Sequence, residues 1–162
     1  MQIKITPAIK GFITGALMIA VILGNYSSGK DADERLQYLV YMMYALGISW
    51  AVVAYRQSAA FTGKFADVFS QGFRCFIVVT LFMAIFYGIF NYMHPEFRDK
   101  AAAFYNEQLV KQKNILPPDI ESEVATFKKQ YILRLVSGAI FGYLIIGAGV
   151  TAVISTLLTR RR

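Results

Sequence analysis

Residues 135–159 read LVSGAIFGYLIIGAGVTAVISTLLT, and this run decides the fold because it contains no charged residue. Arg134 precedes the run, and three arginines, Arg160 to Arg162, follow it. A helix rises about 1.5 Å per residue, so roughly 20 apolar residues cross a hydrocarbon core of about 30 Å. The run exceeds that length and has arginine at both ends, which predicts a transmembrane helix.

Three further apolar runs precede this one in a chain of 162 residues, 56% of which are hydrophobic. We predict an all-α fold, a polytopic membrane protein with a four-helix transmembrane bundle and an extramembrane helical hairpin between spans three and four. One membrane domain, residues 1–162, accounts for the whole length. The predicted spans are residues 8–28, 36–55, 73–93 and 134–159.

The first span has an alternative interpretation, because a basic start followed by a short apolar run is also typical of a signal peptide. No convincing A-x-A cleavage site follows the run, and the lone cysteine, Cys75, is not placed for lipoprotein processing. We therefore expect a retained span.

The second connection contains a segment, residues 60–73, with a phenylalanine at every fourth position. These are Phe61, Phe65, Phe69 and Phe73. Apolar residues at that spacing share one face of a helix. The pattern predicts an amphipathic helix lying in the membrane interface, and it also fits an early start of the third span.

The third connection, residues 95–133, predicts a periplasmic helical hairpin. Its first arm begins at Pro95, and NILPPD, residues 114–119, breaks the helix before a second arm. The apolar stripe of the second arm continues into Leu135, so this arm and the fourth span fit one unbroken helix. The residues that we predict to bind a protein partner are Phe97, Phe104, Val124, Phe127 and Tyr131. The alternative is that the hairpin only caps the bundle, with its two stripes covering each other.

Two pairs of glycines four residues apart predict close helix packing. They are Gly11 with Gly15 in the first span and Gly138 with Gly142 in the fourth. Such pairs let two helix backbones approach closely, either inside one bundle or between the chains of a homo-oligomer. The sequence leaves both arrangements open.

The distribution of charge predicts which side of the membrane holds the termini. With four spans, both termini share a side with residues 56–74, and that side has one acid, Asp67, beside a dense set of cations. These are Lys4, Lys10, Arg56, Lys64, Arg74 and Arg160 to Arg162. Because basic loops stay in the cytoplasm, we expect cytoplasmic N- and C-termini.

No catalytic constellation is visible in the sequence. The chain has no P-loop, no G-x-S-x-G, no H-E-x-x-H and no Cys/His cluster with metal-ligand spacing, and the middle of each span lacks acids and bases. We therefore expect no cofactor, no metal and no enzyme activity. The net charge of +7 lies around apolar spans, so we expect a lipid bilayer and not a nucleic acid as its counterpart.

Short motifs resemble the bacterial domain-of-unknown-function 4199 family over nearly the whole chain. Residues 65–72, FADVFSQG, are similar to the F-x-x-x-F-x-x-G step of that family into its third span. Residues 95–97, PEF, resemble its P-[DE]-F after that span, and the terminal arginines resemble its basic tail. The resemblance implies a bacterial inner-membrane protein without an established activity.

Together these observations favour a structural or interaction subunit. Two alternatives remain, an oligomeric carrier of a small molecule or lipid and, less favoured, an enzyme that acts on lipid. A polar cavity in the middle of the bundle would favour either alternative, whereas a bundle packed with apolar side chains would favour a subunit.

Overall fold

The structure, a computed structural model, describes residues 5–29, 34–111 and 116–160. These residues form helices and connecting turns, with no strand among them, which confirms the predicted all-α fold. The five helices are α1 (Pro7–Ser27), α2 (Glu34–Arg56), α3 (Phe65–Met93), α4 (Pro95–Lys111) and α5 (Pro117–Thr159).

Local chemistry explains where several helices begin and end. The side chain of Thr6 accepts a hydrogen bond from the backbone N–H of Ile9 (3.3 Å), and Pro7 occupies the first turn of α1. Gly63 has a φ of 73°, a left-handed conformation that suits glycine, and so it turns the chain just before α3. Pro95 lacks a backbone N–H donor, which ends α3 and starts α4.

Four of the five helices, α1, α2, α3 and α5, are long and apolar enough to cross a membrane. The described chain is thus a multi-pass membrane protein, as the four predicted spans require. Each predicted span overlaps one of these helices, because an uncharged apolar run is a strong sequence signal for this class of protein, and the exact bounds of the spans stay a prediction.

The start of α3 and the length of α5 decide two alternatives that the sequence left open. Residues 65–73 are the first turns of α3 and not a separate segment, because no proline lies between Gly63 and His94. Helix α3 therefore begins before residue 73, while the residue at which the third span enters the membrane stays a prediction. Helix α5 runs unbroken from Pro117 to Thr159, so the second hairpin arm and the fourth span are one helix.

The contacts divide the chain into two compact units. The bundle unit consists of Met1–Met83 and Ile140–Arg162, and the hairpin unit consists of Ala84–Ala139. The prediction of a single membrane domain over residues 1–162 stays a prediction.

In the bundle unit, α1 runs antiparallel to α2. Lys10 lies beside Trp50, while Thr14, one turn further on, lies against Gly47. The α3 segment contacts α1 at Gly11, and it contacts α5 where Gly72 meets Thr151. The fully buried side chains at the centre are mostly apolar: Met18, Tyr44, Ile48, Val52, Val68, Cys75, Val79 and Met83.

Candidate functional site

The candidate site is the hairpin, and its two arms are joined by an aromatic stack. The ring of Phe127 on α5 stacks on that of Tyr105 on α4, with centroids 4.7 Å apart and an interplanar angle of 18°. The guanidinium of Arg134 lies 5.7 Å from the centroid of Phe127. Ala102 and Leu109 are buried on the same side of α4. The apolar stripes of the two arms therefore cover each other, as the amphipathic pattern of the sequence suggests.

A hydrogen-bond relay fastens α5 to the last turns of α3. The hydroxyl of Tyr131 donates to Oδ1 of Asn91 (3.1 Å), and Nδ2 of Asn91 donates to the carbonyl oxygen of Tyr87 (3.0 Å). Asn91 is buried, so both polar ends of its side chain need these partners. The relay holds α5 and α3 in one register in this unit.

At the turn between α3 and α4, three rings pack together. The imidazole of His94 lies 4.6 Å from the ring of Phe90 and 6.3 Å from that of Phe97, measured between centroids. Nδ1 of His94 is 2.9 Å from a carboxylate oxygen of Glu96. Phe97 therefore anchors the start of α4.

An exposed ion pair also links the arms. A carboxylate oxygen of Asp99 lies 3.2 Å from Nζ of Lys128 and 3.4 Å from Nε of Arg98. Hydrogen bonds from Lys128 and then from Arg98 hold the pKa of Asp99 below its ordinary value. Because the pair faces solvent, its contribution to the stability of the hairpin is small.

The five residues that we predicted to bind a partner therefore fall into two groups. Phe97, Val124, Phe127 and Tyr131 are half-buried, and the three aromatic members make contacts within the hairpin unit. Phe104 is different, because 63% of its surface is exposed. The alternative in which the stripes cover each other describes most of this surface, and the partner-binding prediction now rests on Phe104.

The first pair of predicted packing glycines lies at close helix contacts. A Cβ added at Gly11 would lie 2.5 Å from the carbonyl oxygen of Cys75, and one at Gly15 would lie 2.7 Å from Cδ1 of Phe82. Both distances are too short for a Cβ atom unless a neighbouring atom shifts. Gly11 thus lets α1 approach the backbone of α3, whereas Gly15 makes room for the ring of Phe82.

The second pair does not pack in this way. A Cβ added at Gly138 or at Gly142 would meet no atom within 4 Å among the described residues. The described residues therefore show no close helix contact at either glycine, and packing of this pair inside one bundle stays a prediction without support from them. The contact between two chains stays a prediction.

Three other glycines make close contacts that the spacing rule does not find. Gly47 lies against Thr14, Gly72 against Thr151, and Gly147 against Tyr44 and Phe76. Each is a single glycine opposite a larger side chain, whereas the rule searches for pairs on one helix. Of these three, only Gly147 could have been identified as a packing residue from the sequence, because it lies in the glycine-rich part of residues 135–159.

The sequence patterns also gave no indication of several polar groups that are buried in the bundle unit. The hydroxyl of Tyr44 donates to the carbonyl oxygen of Tyr143 (2.8 Å), and that of Thr14 donates to the carbonyl oxygen of Lys10 (2.8 Å). The hydroxyls of Thr151 and Ser155 are buried without a hydrogen-bond partner among the described residues. Lys10, which the charge pattern placed in a basic flank, has only 6% of its surface exposed.

Within residues 5–29, 34–111 and 116–160, no three His, Cys, Asp or Glu side chains are grouped as a metal site would need. Cys75 is buried, and its Sγ lies 3.7 Å from the carbonyl oxygen of Gly47. The close contacts at the glycines can hold the helices of the bundle unit at fixed distances, and the hairpin presents the exposed side chain of Phe104. The absence of a catalytic role remains a prediction.

Comparison with known proteins gives the family of the chain. No curated protein matches the sequence, and no solved structure matches it. A family model described as "Protein of unknown function (DUF4199)" matches residues 10–161, which includes all four spans except the first turn of α1. The chain therefore belongs to the DUF4199 family of proteins of unknown function.

Proposed function

We propose that this protein is a non-enzymatic interaction subunit of the bacterial inner membrane, and that its hairpin recognises a protein partner. The observation that carries the proposal is the exposure of Phe104 on a hairpin whose other aromatic residues pack internally. A rigid element that presents one large aromatic side chain resembles the anchors that dominate protein interfaces.

The surroundings of Phe104 support a protein as the partner. Lys100, Glu107 and Lys111 lie four residues before, three after and seven after Phe104, so a helix places all four on one face. All four residues are exposed. A face of mixed charge suits a complementary protein surface, whereas a polyanion would select uniform positive charge.

The interior of the bundle unit also favours a subunit over a carrier. Its fully buried side chains are mostly apolar, with Thr151 and Ser155 as the polar exceptions, and single glycines bring its helices into direct contact. The buried hydroxyls of Tyr44 and Thr14 are bonded to backbone carbonyls, so they are occupied in holding the helices.

The experiment places a photo-crosslinking amino acid at position 104 of the full chain in living cells. We expect a discrete adduct with one protein. We also expect Glu107→Lys to weaken the adduct, because it reverses a charge beside the probe. The matched control places the probe at Val110, which is equally exposed on α4 but about 120° away around the helix. Equal adducts at both positions, or none at position 104, would contradict the proposal.

A second candidate, a carrier formed by several copies, is favoured by one observation. Gly138, Gly142 and Gly149 on α5 are open, and a face of small residues suits contact with another membrane helix. In this candidate the transport pathway runs between copies. Cysteine at position 142, in a Cys75→Ser background, should then form a disulfide between two chains in the membrane. Cysteine at Leu81, an exposed position on α3, is the control, and failure of the position-142 variant to cross-link would exclude this contact.

A further inference from the structure

One end of the bundle unit, which we call the basic end, is where α1 and α3 begin and α2 and α5 finish. Its exposed cations in the described part of the chain are Arg56, Lys64, Arg74 and Arg160. Asp67 is the acid there, and it already accepts a hydrogen bond from the hydroxyl of Thr62. The basic end therefore has an excess of positive charge.

Lys10 lies at the basic end and differs from those four residues because it is buried, with 6% of its surface exposed. Its burial follows from the close approach of the helices around it. Gly11 lies against the backbone of Cys75, and Thr14 lies against Gly47, so α1 packs closely against α3 and α2 beside Lys10.

The ammonium group of Lys10 lacks an adequate counter-charge in the described residues. No carboxylate lies within ion-pair distance, and the contact of Nζ is with the ring of Trp50, 5.3 Å from its centroid. One cation–π contact is weaker than the cost of removing an ammonium group from water. The first turn of α1 adds to this cost, since the N-terminal end of a helix is the positive end of its dipole.

Trp50 shows from which side an anion reaches the lysine. Trp50 is 42% exposed, so the residue that Nζ contacts reaches the outer surface of the chain. Tryptophan is enriched at the level of lipid headgroups, and a lysine stem can stay packed while its ammonium group turns toward that level. The anion available at that depth is a lipid phosphate.

We infer that Lys10 and Trp50 form a binding site for the phosphate group of an anionic lipid headgroup. Lys10 supplies the positive charge, and the indole of Trp50 supplies an apolar wall for the glycerol and the first acyl carbons. The exposed cations of the basic end raise the local concentration of anionic lipid. The site lies in the bundle unit, so it does not depend on the recognition role of the hairpin.

Trp50 is the single tryptophan of the chain, which makes its fluorescence a reporter of this one site. The full chain is placed in phosphatidylcholine vesicles that contain a small fraction of lipid with brominated acyl chains, which quench a neighbouring indole. We expect brominated phosphatidylglycerol to be about fivefold enriched at Trp50 over brominated phosphatidylcholine, the factor that one lysine contributes at an anionic surface. Equal quenching by the two lipids overturns the inference.

Variants separate a built site from diffuse surface charge. Lys10→Met should abolish the preference for the anionic lipid, because methionine keeps an unbranched stem without the charge. Lys64→Met is the matched control at an exposed cation of the same end, and it should keep the preference. If both variants lose the preference equally, the effect is a general surface potential and the inference is wrong.

Two measurements on the unaltered chain keep the test decisive if Lys10→Met does not fold. Unlabelled phosphatidylglycerol should displace the brominated lipid with saturation at about one lipid per chain, whereas displacement without saturation contradicts a discrete site. Inorganic phosphate added to vesicles of phosphatidylcholine alone should leave the emission of Trp50 unchanged. A saturable change would assign the site to a soluble phosphate anion and overturn the lipid as its source.

Discussion

Single glycines set how closely the helices of the bundle unit approach each other. In a membrane the tails of the lipids are as apolar as leucine, so helices associate through dispersion contacts and not through the hydrophobic effect. Dispersion depends steeply on distance, and a missing Cβ is what brings the backbone of α2 at Gly47 onto Thr14 of α1. Residues of this kind decide stability without touching any ligand.

The contact at Gly47 leads to the first prediction. A Cβ at position 47 would lie 2.8 Å from the Cβ of Thr14, so Gly47→Ala should destabilise the bundle by about 1–3 kcal/mol, the usual cost of overpacking. The measurement is the melting temperature in detergent. Gly142→Ala is the matched control, since both glycines lie inside helices and share the gain in helix propensity, but position 142 is open. A Gly47→Ala variant as stable as Gly142→Ala would show that α1 and α2 are further apart.

Only part of this residue-scale detail was predictable. Gly11 and Gly15 have close neighbours in the structure, whereas Gly138 and Gly142 have the same spacing and none within 4 Å among the described residues, because spacing says nothing about whether a neighbour is present. Lys10 was counted among the cations on the side of the termini, and its burial was not predicted, since nothing local distinguishes it from Lys64. Its burial depends on Gly11 and Thr14 meeting two distant helices, and such contacts are not encoded in a local pattern.

Among the helices, α5 combines the second arm of the hairpin with the fourth predicted span. Its 43 residues span about 64 Å at 1.5 Å per residue, about twice the thickness of a hydrocarbon core. Residues 117–134 are the charged arm of the hairpin, and the remainder is the uncharged run of residues 135–159. Hydropathy distinguishes the two parts, and their continuity follows from the absence of any proline after Pro118.

The hydrogen bond between Tyr131 and Asn91 gives the second prediction, at the level of these elements. Tyr131→Phe keeps the ring but leaves the buried Oδ1 of Asn91 without its donor, which should cost about 1–3 kcal/mol. Hydrogen exchange of the backbone amides of residues 117–134 should therefore become faster. Tyr92→Phe is the control, because the side chain of Tyr92 is largely exposed. If the two variants exchange alike, the relay does not hold α5 in place.

At the level of the whole molecule, the four apolar helices indicate a multi-pass membrane protein. Four spans place both ends of the chain on one side, and the density of arginine and lysine at the basic end favours the cytoplasm. Both proposals depend on this orientation. A hairpin that recognises a partner would lie in the periplasm, and the headgroup site at Lys10 would draw on the anionic lipids of the cytoplasmic leaflet.

The third prediction tests the orientation with single cysteines in a Cys75→Ser background. Ser28, Ser122 and Ser58 are exposed positions, and Ser58 lies in the turn that shares a side with both termini. We expect cysteines at positions 28 and 122 to react with an impermeant maleimide in intact cells. We expect the one at position 58 to react only after the membrane is opened, because a charged reagent cannot cross the hydrocarbon core.

The reverse pattern would place the termini in the periplasm, which would move the hairpin to the cytoplasm and the Lys10 site to the outer leaflet. Different labelling at positions 28 and 122 would contradict the four spans themselves, since these positions lie on one side only if α2 and α3 both cross the membrane.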